Sequence, residues 1–317
     1  MSNNLIDTTD FKFPGQKKVS KGKVRDIYDL GDTLLLITSD RYSAFDRNLG
    51  FVNHKGELLT AISRWWFEQT KSIVKNHVKQ HPDPNVLWCN KYKVLPIEMI
   101  VRGYISGVTN TSLWHNYSQG QRDFGDFVLP EGLHKNQKLP SPVLTPTTKF
   151  EKHDRPLTPK EAVEEGLVDA DVWKKVQDIA LKLFKFGQKT AEAKGLILVD
   201  TKYEFGLDKN NKLVLIDEIH TPDSSRYWLV DSYQQKIDKG EEPENYDKEF
   251  IRLWYKDRFD PYKDKVAPKP PKEVLDEMSN RYIFVYERLT GKKFVPAKGN
   301  PLARIEANVL KAIKANK

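Results

Sequence analysis

The sequence predicts an α+β protein. Three observations carry that expectation: strands dominate the first hundred residues, a long amphipathic helix feeds a central apolar hairpin, and the chain beyond Asp231 is mostly helical. Lys23 to Asp29 alternates toward a turn at Gly31-Asp32, and Thr33-Leu34-Leu35-Leu36-Ile37-Thr38 returns as a buried strand, so the chain opens on a hairpin. A helix is expected from about Leu58 to Val74, then strands at Val86-Leu87-Trp88-Cys89 and Glu98-Met99-Ile100-Val101. Residues 118–150 are rich in Gly, Pro and polar side chains and read as a long ordered surface loop. Thr158-Pro159-Lys160-Glu161 is a capping box with Pro at the first helical position. Val172, Val176, Ile179, Ala180, Leu183 and Thr190 then recur at helical spacing until Gly195 stops the run. Two further helices are marked by Val274, Met278, Tyr282, Val285 and Leu289, closed by Gly291, and by Leu302, Ile305, Val309 and Ile313. Pro268 to Lys272 is a stiff connector between elements. The pattern divides as a β-rich N-terminal lobe over 1–97, a central α/β lobe over 98–235, and a helical segment over 236–317 packed on the central lobe.

Composition narrows the class. With 317 residues and a hydrophobic fraction of 38%, the chain holds about two ordinary domains with real cores. No apolar stretch reaches the roughly 18 residues of a membrane span, and Met1 to Asp7 lacks a basic-then-apolar signal layout, so a cytoplasmic location is expected. Cys89 is the single cysteine, which excludes an intramolecular disulfide and a cysteine-based zinc site. His77 and His81 stand four apart, but no Glu follows His77 and Pro82 comes straight after His81, which argues against a zinc-binding helix. The net charge of +8 suits polyanionic partners, either nucleic acid or small phosphorylated substrates. Much of the excess alternates with Glu and Asp on solvated helix faces, where a groove binder would show a basic stripe interleaved with aromatics.

The most informative segment is an acidic hairpin. Leu196 to Gly206 and Leu213 to Glu218 both begin apolar and turn abruptly to charge, separated by the polar turn Asp208-Lys209-Asn210-Asn211. Strand alternation puts Asp200, Lys202 and Glu204 on one side. With the turn centred near Asn210, residues whose numbers sum to about 420 face each other, which brings Glu204 close to Ile216 and Asp217. Carboxylates so crowded hold either a cation, with Glu204 and Asp217 as Mg²⁺ ligands, or a solvated salt-bridge cluster.

Four polar segments surround this hairpin in the reading. Gly22 between lysines at a strand start lets backbone amides approach phosphate, with Lys23 and Arg25 to neutralise it, although exposed lysines at a strand start have a bland reading too. Ser39-Asp40-Arg41-Tyr42-Ser43-Ala44-Phe45-Asp46 is a dense polar loop of the kind that binds anions or sugar hydroxyls, or simply builds turns. Arg102 reads as a bidentate anion clamp or half of a salt bridge. Thr221-Pro222-Asp223-Ser224-Ser225-Arg226 repeats hydroxyl, carboxylate and guanidinium. Together they describe a pocket for a phosphorylated ligand, Mg²⁺ and a nucleotide.

Leu95-Pro96-Ile97-Glu98-Met99-Ile100-Val101-Arg102-Gly103-Tyr104-Ile105-Ser106-Gly107 and Leu198-Val199-Asp200-Thr201-Lys202-Tyr203-Glu204-Phe205-Gly206 strongly resemble the two signature segments of the SAICAR synthetase family. The resemblance runs from Gly22-Lys23-Val24-Arg25-Asp26 through Ser39-Asp40-Arg41 to Asp223-Ser224-Ser225-Arg226. One departure exists: Val108-Thr109-Asn110-Thr111 separates Gly107 from Ser112, where the family commonly has Gly-Ser. The resemblance implies a kinase-like or ATP-grasp-like α+β fold whose N-terminal lobe is nucleotide-binding, with nucleotide between the lobes. It implies ATP and Mg²⁺, ligation of L-aspartate to the carboxylate of a carboxyaminoimidazole ribonucleotide, and an acyl phosphate on the way. The partners implied are small molecules, without nucleic acid or membrane, for a monomer or small homo-oligomer.

Residue by residue, the resemblance implies ATP binding by Gly22, Lys23, Val24, Arg25, Glu98 and Asp217, with Lys91 to Glu98 bordering the adenine. Glu204 and Asp217 hold the metal. Ser39, Asp40, Arg41, Ser43, Arg102, Ser112, Lys202, Ser225 and Arg226 bind substrate, and Lys202, Asp200 and Lys149 are the catalytic candidates. The rival readings are another ATP-dependent small-molecule kinase or ligase, and a nucleic-acid-binding module.

Overall fold

The computed structural model describes residues 5–45, 47–109, 111–151, 155–256, 258–260 and 263–316. Asp46 and Asn110, named above in two polar segments, lie outside the described residues, as do Met1 to Asn4. The chain forms two compact units, one from residues 1–65, 77–91 and 246–317 and the other from 66–76 and 92–245.

The N-terminal elements are β1 (Lys18–Lys21), β2 (Arg25–Asp29), β3 (Thr33–Thr38), β4 (Arg41–Ala44), β5 (Arg47–Phe51), helix α1 (Lys55–Thr70), β6 (Val78–Asp83) and β7 (Val86–Asn90). The sheet order is β1-β2-β3-β7-β6, and β4 pairs with β5 as a separate ribbon. The expected opening hairpin is β2–β3, antiparallel with Arg25 opposite Thr38 and Asp29 opposite Leu34. Helix α1 begins three residues earlier than the apolar pattern suggested, because the Asp40 carboxylate accepts the Gly56 amide at 3.0 Å and satisfies its first turn.

The second unit opens on β8 (Lys93–Tyr104), followed by α2 (Leu113–Ser118), β9 (Lys138–Leu144), β10 (Thr147–Thr148), α3 (Pro159–Glu164) and α4 (Ala170–Glu192). It closes with β11 (Leu196–Leu207), β12 (Leu213–Ile216), β13 (Ser225–Leu229) and α5 (Val230–Asp238). Strands run in the order β10-β8-β11-β12, with β13 also on β11 and β9 also on β8. The capping box at α3 forms in full: Thr158 Oγ1 accepts from the Glu161 amide at 3.2 Å, and Glu161 Oε2 accepts from the Thr158 amide at 2.7 Å. Helix α4 buries Trp173, Val176, Ala180, Leu183, Phe184, Gly187 and Ala191.

Residues 118–150 are more ordered than the expected surface loop, since β9 and β10 both pair with β8. Pro140 and Pro142 disguise β9. A strand bonded on one side only tolerates prolines that an interior strand would not.

The last elements are α6 (Glu249–Lys256), α7 (Lys272–Thr290) and α8 (Pro301–Ala315), which belong to the first unit. Ile305, Val309 and Ile313 of α8 join Tyr28, Leu35, Ile37, Val86 and Trp88 in one core. Met278 and Tyr282 of α7 join Tyr42, Val52, Leu58 and Ile251 in another. Gly291 ends α7 with φ 70°, the left-handed conformation that a glycine adopts without a Cβ clash.

Candidate active site

The acidic hairpin folds on the predicted register, with Glu204 opposite Ile216. On its other side β11 pairs with β8, which puts Glu204 opposite Glu98 and Asp200 opposite Arg102. Two carboxylates directly across a ladder repel unless a cation separates them. Lys202 does so, its Nζ 2.6 Å from Glu98 and 2.7 Å from Glu204. Lys149 arrives from the end of β10, the strand beside β8. β10 pairs with Glu98 and Ile97, and the Lys149 amide donates to Pro96 O at 2.9 Å. Its ammonium then lies 2.7 Å from Glu204 and 3.6 Å from Glu98. Asp217 follows the end of β12, half-buried and with φ 64°.

The electrostatics follow from this packing. Burial pushes the Glu204 carboxyl up, but Lys202 and Lys149 outweigh it and hold it at about 2. Glu98 goes the other way, raised by burial that its lysine partners only partly offset. Burial opposes the Lys202 ammonium, yet Glu204, Glu98 and Asp217 hold it well above the ordinary lysine value. Three carboxylates thus act on the Lys202 ammonium.

At the opposite end of the β11 face the sign reverses. Arg102 on β8 and Arg226 on β13 reach Asp200 from its two neighbouring strands. Arg226 donates to the carboxylate at short range and Arg102 lies 3.4 Å from it. Two buried guanidiniums thus converge on one carboxylate. Burial pushes Arg102 down to about 10, with Asp200 restoring part of the shift. Arg102 is steadied by Thr145 Oγ1 at 2.7 Å and by the Thr111 carbonyl at 3.0 Å. Gly107 fits this corner only as glycine. Its φ is 94°, and a Cβ there would lie 2.5 Å from Ser112 Oγ and 2.8 Å from Arg226 Nη2. Ser112 is therefore beside Arg226 despite the four residues that separate it from Gly107. Ser225 hydrogen-bonds Thr201 at 2.7 Å, one step along the same ladder.

Asp200 and Lys202, grouped together by their alternation on β11, divide between these two clusters. Lys202 belongs with Glu98, Glu204 and Lys149, and Asp200 with Arg102 and Arg226.

In the first unit, Gly22 closes a tight turn into β2, its amide donating to Arg25 O at 2.8 Å. A Cβ on Gly22 would meet that same oxygen at 3.1 Å. Lys23 is exposed, Val24 half-buried and Arg25 buried. The segment from Ser39 is not an open loop. Ser39 Oγ donates to Val24 O at 2.7 Å, and the Asp40 carboxylate accepts from the Ile6 amide at 2.8 Å and from Gly56. Arg41 bonds Asp26 and neighbouring carbonyls, and Ser43 is buried in β4 opposite Asn48.

Some neighbours of the site escaped the sequence reading. Thr145 sits in the stretch read as loop, Thr111 in the segment between Gly107 and Ser112, and Thr201 hides between two charged positions. A cleft of about 460 Å³ in the second unit is lined by Thr111, Thr145 and Thr147 together with Asp123, Phe124 and Glu161. None of the expected site residues lines it, although Arg102 touches two of its threonines.

The chain matches the family model described as SAICAR synthetase over residues 18–269. It is 56% identical over 287 residues to a phosphoribosylaminoimidazole-succinocarboxamide synthase of Legionella pneumophila (strain Paris), covering 90% of this chain and 92% of that protein. A chloroplastic enzyme of the same name from Arabidopsis thaliana is 51% identical over 314 residues, 98% of this chain and 75% of that one. Among solved structures, the SAICAR synthase of Saccharomyces cerevisiae complexed with SAICAR superposes with a TM-score of 0.77 at 35% identity, covering 91% of this chain and 99% of that one. A SAICAR synthetase in complex with ADP gives 0.67 at 25% identity, covering 88% and 100%. Among the described residues, no helix is long and apolar enough to cross a membrane.

Proposed function

This chain belongs to the SAICAR synthetase family, and from that premise we propose how its residues divide the work. It is an ATP-dependent carbon–nitrogen ligase that joins L-aspartate to the carboxylate of 5-amino-1-(5-phosphoribosyl)imidazole-4-carboxylate, forming SAICAR, ADP and phosphate in purine biosynthesis. The observation that carries the division of roles is the charge polarity of the β11 face, acidic around Glu204 and basic around Asp200.

Arg102, Arg226 and Ser112 are the residues suited to the ribonucleotide phosphate, because two buried guanidiniums and a hydroxyl converge at the Gly107 corner, where the glycine lets the backbone come close to them. Ser225 borders the same place. Asp200 keeps the two guanidiniums parallel in purpose by holding both. At the other end, Lys202 and Lys149 face the reacting carboxylate and neutralise the charge that builds as phosphate is transferred to it. A carboxylate is a poor electrophile, so the reaction passes through an acyl phosphate: the γ-phosphoryl group leaves ATP for the ribonucleotide carboxylate. The aspartate amine then attacks that carbonyl and phosphate departs.

Glu204 and Asp217 would hold Mg²⁺. Glu204, Glu98 and Asp217, which all act on Lys202, are the hard oxygen donors that a divalent cation takes. Mg²⁺ takes one or two carboxylates and completes its shell with phosphate and water. When bound with ATP it supplies charge neutralisation at the phosphates.

Gly22, Lys23, Val24 and Arg25 are assigned to ATP phosphates. Ser39, Asp40 and Ser43 serve through the backbone they hold, since their polar atoms are already engaged or buried. We place the activity in the cytoplasm, with small-molecule partners only. ADP release that requires the imidazole ribonucleotide and aspartate together is the test. Release with either alone, or with neither, would favour a different kinase or ligase.

A further inference from the structure

We propose that Arg41 is a positioning residue for the ATP phosphates, holding the Gly22–Lys23 turn from beneath by its carbonyl oxygens. The proposal rests on the assignment of that turn to ATP.

Arg41 is 5% exposed and lies on β4, while Lys23 is exposed. Its guanidinium donates to Gly22 O at 3.0 Å from Nη2 and to Lys23 O at 3.2 Å from Nε. Nη1 donates to Asp7 O, and Nη2 also meets Asp26 Oδ1 at 2.7 Å. Two successive carbonyls of the proposed phosphate turn are thereby drawn to one buried cation. A peptide plane whose carbonyl points inward presents its N–H outward, the orientation an oxyanion needs.

The charge of Arg41 is not available to the phosphates directly. Asp26 is fully buried and answers it at close range, and the other Asp26 oxygen accepts the Thr9 amide at 2.7 Å and Thr9 Oγ1 at 2.9 Å. The same network therefore stitches residues 7 and 9 to the turn. A planar fork with donors in fixed directions can serve three carbonyls and a carboxylate at once, whereas an ammonium cannot reproduce that geometry.

The test measures the KM of each substrate and the direct affinity for ADP by calorimetry, in Arg41→Lys, Arg41→Gln, Lys23→Ala and the parent enzyme. The expected result is a rise of about 10-fold or more in the KM for ATP and in the ADP Kd for both Arg41 variants. Their KM for aspartate and for the ribonucleotide stays within about 2-fold. Faster hydrogen exchange at the Lys23 and Val24 amides of folded Arg41→Lys accompanies it. Weakened nucleotide affinity in Lys23→Ala with parental affinity in both Arg41 variants would overturn the positioning role alone. Parental affinity in Lys23→Ala would overturn the phosphate assignment and this proposal with it. Equal loss of affinity for all three substrates, or loss of the folded state in Arg41→Lys and Arg41→Gln alike, would reduce Arg41 to a general structural role.

Discussion

Glu98 on β8 and Glu204 on β11 stand directly opposite each other, and the Lys202 ammonium lies 2.6 Å from the first and 2.7 Å from the second. Removing that ammonium leaves two partly desolvated carboxylates with Lys149 alone between them. Truncating one partner of a buried charged cluster costs about 3–5 kcal/mol, and the remaining lysine should keep Lys202→Met near the low end. Turnover should fall at least about 1,000-fold, below what a simple hydrogen-bond loss produces. A coupled assay for ADP checks it, and more than a tenth of parental kcat would remove Lys202 from the chemistry.

Glu204→Gln and Asp217→Asn should each lose about 100-fold or more of ligase activity. Circular dichroism should show both variants folded, with Glu204→Gln melting lower because Lys202 and Lys149 lose their shared carboxylate. If either variant turned over ATP at near-parental rates across a Mg²⁺ titration, the metal assignment would fail.

Arg102→Gln and Arg226→Gln should raise the KM for the ribonucleotide about 10- to 100-fold, the range of a charge-assisted hydrogen bond, with the KM for ATP unchanged. The double variant should fall short of the product of the two, since both guanidiniums share Asp200. Steady-state kinetics in each substrate separately is the measurement. A matching rise in the KM for ATP would place these arginines elsewhere.

Gly107→Ala should destabilise the protein by about 1–3 kcal/mol and weaken ribonucleotide binding. The position has φ 94°, and the added methyl would collide with Ser112 and Arg226. Urea unfolding and substrate titration report the two effects separately. A variant as stable and as tight-binding as the parent would show that the corner relaxes freely.

His220 supplies the pH dependence. It is fully buried, its Nε2 2.5 Å from the Tyr203 hydroxyl and its ring edge-on to Trp66, and burial pushes it down to about 3. A base depressed on folding binds its proton more readily in the unfolded chain. Its contribution is therefore complete above about 6.5, the unfolded value, and is lost as pH falls toward 3. Unfolding free energy should drop by up to about 1.4 kcal/mol per pH unit in that window. His220→Leu should flatten this slope when urea midpoints are compared across pH, and an unchanged slope would assign the effect to other groups.

Much of the central architecture was legible because strand physics is strict there. A two-residue side-chain period and one turn centre gave both the shared face of Asp200, Lys202 and Glu204 and the pairing of Glu204 with Ile216. The Thr158 capping box and the Gly291 stop were legible for the same reason, each being a local rule with a single chemical cause. Polar strands were not. Arg41 and Ser43 read as loop, yet they are buried in β4 because Asp26 and nearby carbonyls satisfy the guanidinium. β9 hid behind two prolines, and β13 behind Ser225 and Arg226. Nor could local pattern reveal which residues share a cation. That Lys202 joins Glu98 and Asp200 joins Arg102 depends on strands about a hundred residues apart in sequence.

Because Asp200, Lys202 and Glu204 all ride on one strand, β11 works as a ruler. At about 3.3 Å per residue, the arginine end and the acidic end lie about 13 Å apart along it. A ligand that engages both ends must match that span. The same rigidity makes the strand intolerant of insertions: one added residue between Asp200 and Glu204 would turn every side chain beyond it to the opposite face.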